Sequence, residues 1–235
     1  MWLYAKGSAG LLLLSVFSLE WRRGIFKGTR ARLQSLPWKF YFKIFLLLLA
    51  LAILILPSDL FLRSVIQKGY EQPFFKGVVA LGAFFGRSTN LWPMLAALYL
   101  LAFPLKGKSW QTFIFGLLLS SVTAGLGIHI LKFTFLRARP YAGLGPFSFF
   151  NFNGLVQNDR AFQSFPSGDA AVCAGAAAYL FFALRKYKLS WLILLLPVAT
   201  ALARVSLNRH WPSDTVFSIG ISFVAAHAVR RWEKR

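Results

Sequence analysis

Three short stretches of the sequence combine basic residues with a histidine and two aspartates. They read "KFTFLRARP" at 132–140, "PSGD" at 166–169 and "ARVSLNRHWPSD" at 203–214. Each lies beside an apolar segment, where ionisable side chains are costly unless they pair with one another or serve a site. The three stretches therefore predict one shared site. Because most of their charged residues are cations, we expect that site to bind an anion.

The basic side chains of the three stretches suit a tetrahedral anion such as phosphate. Arginine presents a planar fork of donors that matches phosphate oxygens, and lysine adds a point charge. A helix predicted to begin after Ser167 adds backbone N–H groups, and Gly168 allows close approach to them. The predicted phosphate-binding residues are Lys132, Arg139, Ser167, Gly168 and Arg204.

A histidine and an aspartate in the third stretch have the spacing of a catalytic pair. His210 and Asp214 lie four residues apart, so the carboxylate reaches one imidazole nitrogen if the segment turns. Asp214 would then fix the tautomer and support positive charge on the ring, which leaves the other nitrogen free to attack phosphorus. The simpler alternative is a single histidine at a helix start, capped by Ser213 or Asp214. That alternative explains the pair but not the cations around it.

Three further charged residues have more open roles. Asp169 is predicted at a helix N-terminus among cations, and both features favour an ionised carboxylate, which cannot donate a proton. Asp169 is therefore a candidate catalytic residue only if burial offsets that trend. Arg137 and Arg209 are possible substrate contacts, or arginines whose charged ends reach the membrane surface.

The elements that position these residues are predicted to be membrane helices. Hydrophobic residues make up 57% of the chain and charged residues 14%, whereas about 25% charged residues is usual for a soluble domain. A membrane-spanning helix needs roughly 20 apolar residues, or a few less when flanking side chains reach the interface. Six stretches qualify, at 40–57, 90–105, 109–131, 169–185, 189–205 and 213–229. We predict an all-α polytopic membrane protein with a six-transmembrane-helix bundle.

The N-terminal region is predicted to differ from the rest of the chain. We divide the sequence into an N-terminal interfacial and basic segment, 1–39, and a transmembrane domain, 40–235. The apolar run 7–19 is short enough for a signal peptide, but no small-residue cleavage site follows it. An uncleaved interfacial or short membrane helix is favoured. Segment 20–39 interleaves basic and aromatic residues, so it is expected on the cytoplasmic side.

That orientation has consequences for the remaining loops. With alternating spans, the three charged stretches face the outer side. The connection 60–88 is also placed outside, either as a helix along the interface or as a re-entrant segment. The aromatic loop 141–165 either anchors the protein at the interface or contacts acyl chains above the site.

Charge and motif content limit the possible partners. The chain has 27 basic and 7 acidic residues, a net charge of +20, which suits either a nucleic acid or an anionic membrane. The apolar runs favour the membrane, so we expect membrane lipids and no nucleic acid as partners. The chain carries no zinc-binding or nucleotide-binding motif, and no metal or cofactor is predicted. The oligomeric state is left open.

The three stretches together resemble the signature of the type 2 phosphatidic acid phosphatase family. The pattern is Lys132-x6-Arg139-Pro140, then Pro166-Ser167-Gly168, then Arg204-x5-His210-x3-Asp214. The resemblance implies a membrane lipid phosphatase in which His210 is the nucleophile, forms a phosphohistidine and is oriented by Asp214. It also implies that the five predicted phosphate-binding residues hold the phosphate, and that no metal is required.

Two positions depart from the family pattern. Ala203 stands where the third stretch usually has serine, and Asp169 stands where the second usually has the histidine credited with protonating the leaving oxygen. A substrate with a good leaving group, such as a glycosyl-1-phosphate or a diphosphate lipid, needs that proton least.

These features predict a lipid phosphatase of a bacterial inner (plasma) membrane with its site facing outside. We expect lipid A 1-phosphate first, then undecaprenyl diphosphate or phosphatidylglycerophosphate, as the substrate. A transporter for an anion or lipid is the alternative from another class, although charges gathered on one side argue against it.

Overall fold

The computed structural model describes residues 2–24, 26–105, 108–152 and 160–233, and within these ranges the regular structure is entirely helical. The α-helices are α1 (Trp2–Arg22), α2 (Thr29–Gln34), α3 (Trp38–Ile55), α4 (Asp59–Gly69), α5 (Pro73–Gly86), α6 (Ser88–Leu105), α7 (Lys108–Phe135), α8 (Gly168–Leu184), α9 (Leu195–Ser206) and α10 (Pro212–Glu233). Short 3-10 helices cover Leu56–Ser58, Pro140–Ala142, Arg160–Phe162 and Lys188–Leu194. The predicted all-α class is confirmed.

Several of these helices have the length and composition of membrane spans. Three stretches are long and apolar enough to cross a bilayer, namely Trp38–Gly69, Ser109–Ala142 and Lys188–Ser206. Each of the six predicted spans coincides with one helix, either alone or together with an adjoining 3-10 helix. The membrane character of the bundle is therefore supported, and the number of crossings stays a prediction.

Helix α8 lies at the centre of the bundle, between α7, α9 and α10. Its alanines and glycines allow very close approach, because a Cβ added to Gly175 would lie 2.7 Å from the Ser120 carbonyl oxygen. The Ser120 hydroxyl donates to the Gly175 carbonyl at 2.7 Å, and Ser121 donates to Val172 at the same distance. In an apolar bundle, small residues and such hydroxyl bonds are what hold helices together.

Helix α1 is longer than the apolar run that predicted it and packs along α6. Val16 is fully buried there. Glu20 is also buried, and it accepts hydrogen bonds from the Tyr99 hydroxyl and from Arg23, the latter at 3.2 Å. These contacts make α1 an integral part of the described bundle.

The connection predicted over 60–88 forms α4 and α5, and α5 is packed tightly against α9. A Cβ added to Gly82 would lie only 2.1 Å from the carbonyl oxygen of Ala199. The Thr200 hydroxyl donates to the Gly82 carbonyl at 3.0 Å. The three charged stretches lie at four helix ends, namely the C-terminal ends of α7 and α9 and the N-terminal ends of α8 and α10. Contacts between the charged stretches bring these four ends together.

Candidate active site

The first charged stretch begins at the end of α7 and places two cations beside one carbonyl. Leu136 is buried with φ of 42°, a left-handed conformation that is rare outside glycine and that turns the chain away from the helix. The Lys132 ammonium donates to the Gln163 carbonyl oxygen at 2.7 Å, and Arg139 Nη2 points to the same oxygen at 3.5 Å. The two positive groups therefore converge.

The second charged stretch caps α8 next to Lys132. The Ser167 hydroxyl accepts the Ala170 N–H at 3.4 Å, and the Ser167 N–H donates to the Asp214 carbonyl at 3.3 Å. The Ser167 cap is thus as predicted. A Cβ on Gly168 would lie 3.7 Å from Lys132 Cε, so this glycine and the lysine are neighbours. The first N–H groups of a helix have no intrahelical acceptor and suit an anion.

An ion pair joins the second and third stretches. Arg204 Nη1 lies 2.8 Å from Asp169 Oδ2, and Arg204 Nη2 donates to the Ala83 carbonyl in α5 at 3.2 Å. The arginine is buried, whereas the aspartate side chain is 34% exposed. Asp169 thus occupies part of the donor fork of a predicted phosphate-binding residue.

His210 is buried, and its two ring nitrogens have different surroundings. Nδ1 lies 2.8 Å from the Ser164 carbonyl oxygen and 3.5 Å from Asp214 Oδ2. Both neighbours accept hydrogen bonds, which assigns the proton to Nδ1 and leaves a lone pair on Nε2. Burial lowers the pKa of His210 to about 4, and the positive charges of Lys132 and Arg139 add to this effect against the opposing influence of Asp214. His210 is therefore neutral at pH 7, as a nucleophile requires.

Asp214 lies beneath the histidine and is held by several donors. The Ser164 hydroxyl donates to Oδ2 at 2.5 Å and the Trp211 N–H donates at 2.9 Å. Arg137 Nη1 forms a short ion pair with Oδ1. The predicted His210–Asp214 pair is therefore present, with the Ser164 carbonyl as the nearer acceptor of the imidazole N–H.

Arg137 was predicted as a possible substrate contact, and the structure contradicts that prediction. Its side chain is 0% exposed, and its donors go to protein oxygens: Asp59, Asp214, Ser213 and the Pro146 carbonyl. A guanidinium enclosed in this way is behind the site and does not reach a substrate. Arg209, by contrast, is exposed, with its guanidinium 5.7 Å from the Tyr141 ring centroid, and its contact with substrate stays a prediction.

Asp59, at the start of α4, is the residue that sequence reasoning missed. It is fully buried and bonded to Arg137 and to Ser213, although about 80 positions separate it from the nearer of them. One signal pointed to it: it is one of seven acidic residues in the chain, and it adjoins an apolar run. Ionisable residues in that setting are usually functional.

Two buried donors fit an anion directly. Among the described residues, Arg139 Nε and Arg204 Nε are buried side-chain nitrogens with no hydrogen-bond partner. Leaving a buried donor unpaired is unfavourable, and oxygen atoms of a bound phosphate would satisfy both. The residues present therefore suit phosphate.

A helical bundle with a neutral histidine set among buried cations has the features expected of a phosphate-ester hydrolase. The chain belongs to the PAP2 superfamily, whose family model matches residues 113–235, just over half of the chain. The matched part contains most of α7, all of α8 to α10 and all three charged stretches, and it excludes α4 with Asp59. No curated protein and no solved structure matches the chain. Membership supports phosphatase activity.

Proposed function

We propose that the protein removes a phosphate group from a lipid at the outer face of a bacterial inner membrane, with lipid A 1-phosphate as the first candidate substrate. One observation carries this proposal: the ring of His210, whose Nε2 is free, lies within the electric field of Arg139, and its backbone N–H donates to the Arg204 carbonyl at 3.3 Å. Both arginines have a buried Nε nitrogen without a hydrogen-bond partner. A histidine nucleophile near cationic donors for phosphate is the arrangement that phosphoryl transfer to histidine needs.

The proposed reaction has two displacement steps. In the first, the Nε2 lone pair of His210 attacks phosphorus, the bond from phosphorus to the lipid oxygen breaks, and that oxygen keeps the electron pair. The ring becomes positively charged, and the Ser164 carbonyl and Asp214 stabilise it through Nδ1–H. In the second, water attacks phosphorus, the P–N bond breaks with its electron pair returning to Nε2, and inorganic phosphate and neutral His210 are released. The second proton of that water enters the solvent, which protonates the lipid oxygen released in the first step. Lys132 and the arginines stabilise the charge on the transferred group in both steps.

The leaving group is the basis for the choice of substrate. Asp169 stands where the family pattern has its acid histidine, and its carboxylate is held by Arg204 at 2.8 Å. A sugar anomeric oxygen or a phosphate departs without much acid assistance, whereas an ordinary alkoxide does not. This favours a glycosyl-1-phosphate such as lipid A 1-phosphate. Undecaprenyl diphosphate fits the same argument, and phosphatidylglycerophosphate fits it less well.

An apolar cavity beside the site supports a lipid substrate. It has a volume of about 250 Å³ and lies between α3 and the aromatic loop. Its lining is apolar throughout: Leu49, Ala52, Ile53, Leu56, Phe135, Phe149, Phe150 and Phe165. Phe165 is two residues before Ser167, so an acyl chain in this cavity would lie next to the phosphate-binding loop. This arrangement favours acyl-chain contact as a role of the aromatic loop.

The test is phosphate release by the full chain in detergent, with a panel of lipid A, undecaprenyl diphosphate and phosphatidylglycerophosphate. We expect His210→Asn to lower the rate by about 10³-fold or more, as expected when a nucleophile is removed. His227→Asn is the matched control, since that histidine bonds to Tyr41, far from the charged stretches. Labelled substrate should also yield an acid-labile phosphohistidine in the unchanged protein. Full activity of His210→Asn would refute the proposal, and anion or lipid transport without phosphate release would favour the alternative class.

A further inference from the structure

Arg137 connects two buried carboxylates that come from opposite ends of the chain. Its Nη2 lies 2.6 Å from Asp59 Oδ2, and its Nη1 is bonded to Asp214 Oδ1. All three side chains are 0% exposed. Asp214 in turn faces Nδ1 of His210. Asp59 is thus linked to the nucleophile through one arginine and one aspartate.

The hydrogen bonds to both carboxylates favour their ionised forms. Asp59 accepts the Ser213 N–H at 2.8 Å, the Ser213 hydroxyl at 2.6 Å and the Arg137 guanidinium. Asp214 likewise accepts from Ser164, from the Trp211 N–H and from Arg137. A protonated carboxyl group would need an acceptor for its hydrogen. Every nitrogen partner here is a donor, and only the Ser213 and Ser164 hydroxyls could accept.

The charge of this group depends on Asp59. Two carboxylates and one guanidinium leave one net negative charge behind the histidine. Without Asp59, Arg137 and Asp214 would form a neutral pair, and the field of Asp214 at His210 would be largely cancelled. The cations facing His210 are Lys132 and Arg139, and Asp214 is the carboxylate that opposes them.

We propose that Asp59 is a positioning residue for catalysis, which keeps the Asp59–Arg137–Asp214 group negative so that Asp214 can stabilise the positive ring of phosphorylated His210. This inference rests on the proposed phosphohistidine mechanism. It assigns a part in the reaction to α4, which lies outside the family match at 113–235.

A second contact supports the role of α4 in holding the catalytic loop. Arg63 Nε donates to Asn208 Oδ1 at 2.8 Å, and Gln67 Nε2 points to the same oxygen at 3.4 Å. Asn208 has φ of 61°, a left-handed conformation that asparagine tolerates better than most residues. It lies two residues before His210. Helix α4 therefore contacts this loop both before and after the nucleophile.

The experiment compares Asp59→Asn with the double variant Asp59→Asn/Arg137→Gln in the full chain. Asp59→Asn should lower kcat about 10- to 100-fold, the order expected for one lost charge in a buried network next to the reacting histidine. KM and the Ki of inorganic phosphate should stay within about threefold, because the phosphate-binding side chains are unchanged. The acid limb of the pH profile should move to lower pH, since a positive His210 is less well supported.

The double variant gives the decisive result. The substitutions Asp59→Asn and Arg137→Gln together remove one negative and one positive charge. The Asp214 carboxylate that remains then gives the group the same single net negative charge as in the unchanged protein. We expect kcat above that of Asp59→Asn and an acid limb returned toward its original position. A purely structural role predicts the opposite, because two lesions in one buried network should be worse than one. A folded double variant with lower kcat than Asp59→Asn would overturn the proposal.

Two controls separate this proposal from folding and from the proposed function. Glu71→Gln removes an exposed carboxylate just after α4 and should leave kcat unchanged. Asp59→Ser is a second neutral variant, whose hydroxyl can still accept the Ser213 N–H, and it should reproduce the loss of kcat. Full kcat in a folded Asp59→Ser or Asp59→Asn protein would refute the role of Asp59. An unchanged protein without phosphatase activity would instead refute the proposed function.

Discussion

Replacing Asp169 with asparagine separates two roles for this carboxylate. Asp169 is either the proton donor for the leaving group or an anion that competes with phosphate for Arg204. The 2.8 Å contact with Arg204 Nη1 favours competition. Asparagine keeps the shape of the side chain and removes its charge, so it removes the competing ion pair without opening a cavity.

The expected size of the effect follows from the exposure of the pair. The Asp169 side chain is 34% exposed, so water and salt screen its attraction to Arg204. Such a pair contributes about 1 kcal/mol, which corresponds to about fivefold in a binding constant. We therefore expect the Ki of inorganic phosphate to fall about fivefold in Asp169→Asn. With a glycosyl-1-phosphate substrate, kcat should change by less than about threefold.

The assay measures kcat and phosphate inhibition side by side. Asp169→Glu, which keeps the charge, is the matched control and should leave the Ki close to its original value. General acid catalysis is worth about 10²- to 10⁴-fold. A 100-fold loss of kcat in Asp169→Asn with an unchanged Ki would therefore identify Asp169 as the acid and refute the competition argument. High activity of the unchanged protein on a simple alkyl phosphate would refute the leaving-group argument.

Two further predictions concern pH and packing. The attacking form of His210 is neutral, and burial lowers its pKa to about 4, so kcat/KM should hold from neutral pH downward and fall only as pH drops through about 4. An acid limb near the ordinary histidine value of about 6.5 would contradict the burial of His210. Gly82→Ala should lower Tm by several degrees, because its Cβ would lie 2.1 Å from the Ala199 carbonyl oxygen and overpacking typically costs about 1–3 kcal/mol. The control is Gly77→Ala in the same helix, because nothing lies within 4 Å of a Cβ added there. Equal Tm changes in both variants would refute the close packing of α5 and α9.

Local features of the sequence were sufficient to predict the helices and several contacts within the candidate site. Ser167 was predicted as a helix cap because capping depends on residues three positions apart, and the structure confirms it. The apolar runs predicted helices because lipid requires a backbone that satisfies its own hydrogen bonds. Lys132 and Arg139 lie in one stretch, and His210 and Asp214 lie in another, so their proximity could be predicted from sequence spacing. The members of each pair are close in the structure.

The long-range partners were not predictable in the same way. Arg137 looked like a substrate contact because its stretch also holds Lys132 and Arg139, yet it is turned inward after Leu136 and enclosed. Asp59 carries no motif, and its contacts depend on how α4 packs against α10. The Asp169–Arg204 pair likewise joins two helices.

The sequence alone therefore determined the class of the fold, and it predicted the phosphate-binding residue types and a histidine nucleophile from composition, from spacing along single segments and from the family resemblance. Only the tertiary structure decided which charges neutralise one another. That outcome depends on distances between helices, and Coulomb energies inside a low-dielectric bundle change steeply with those distances.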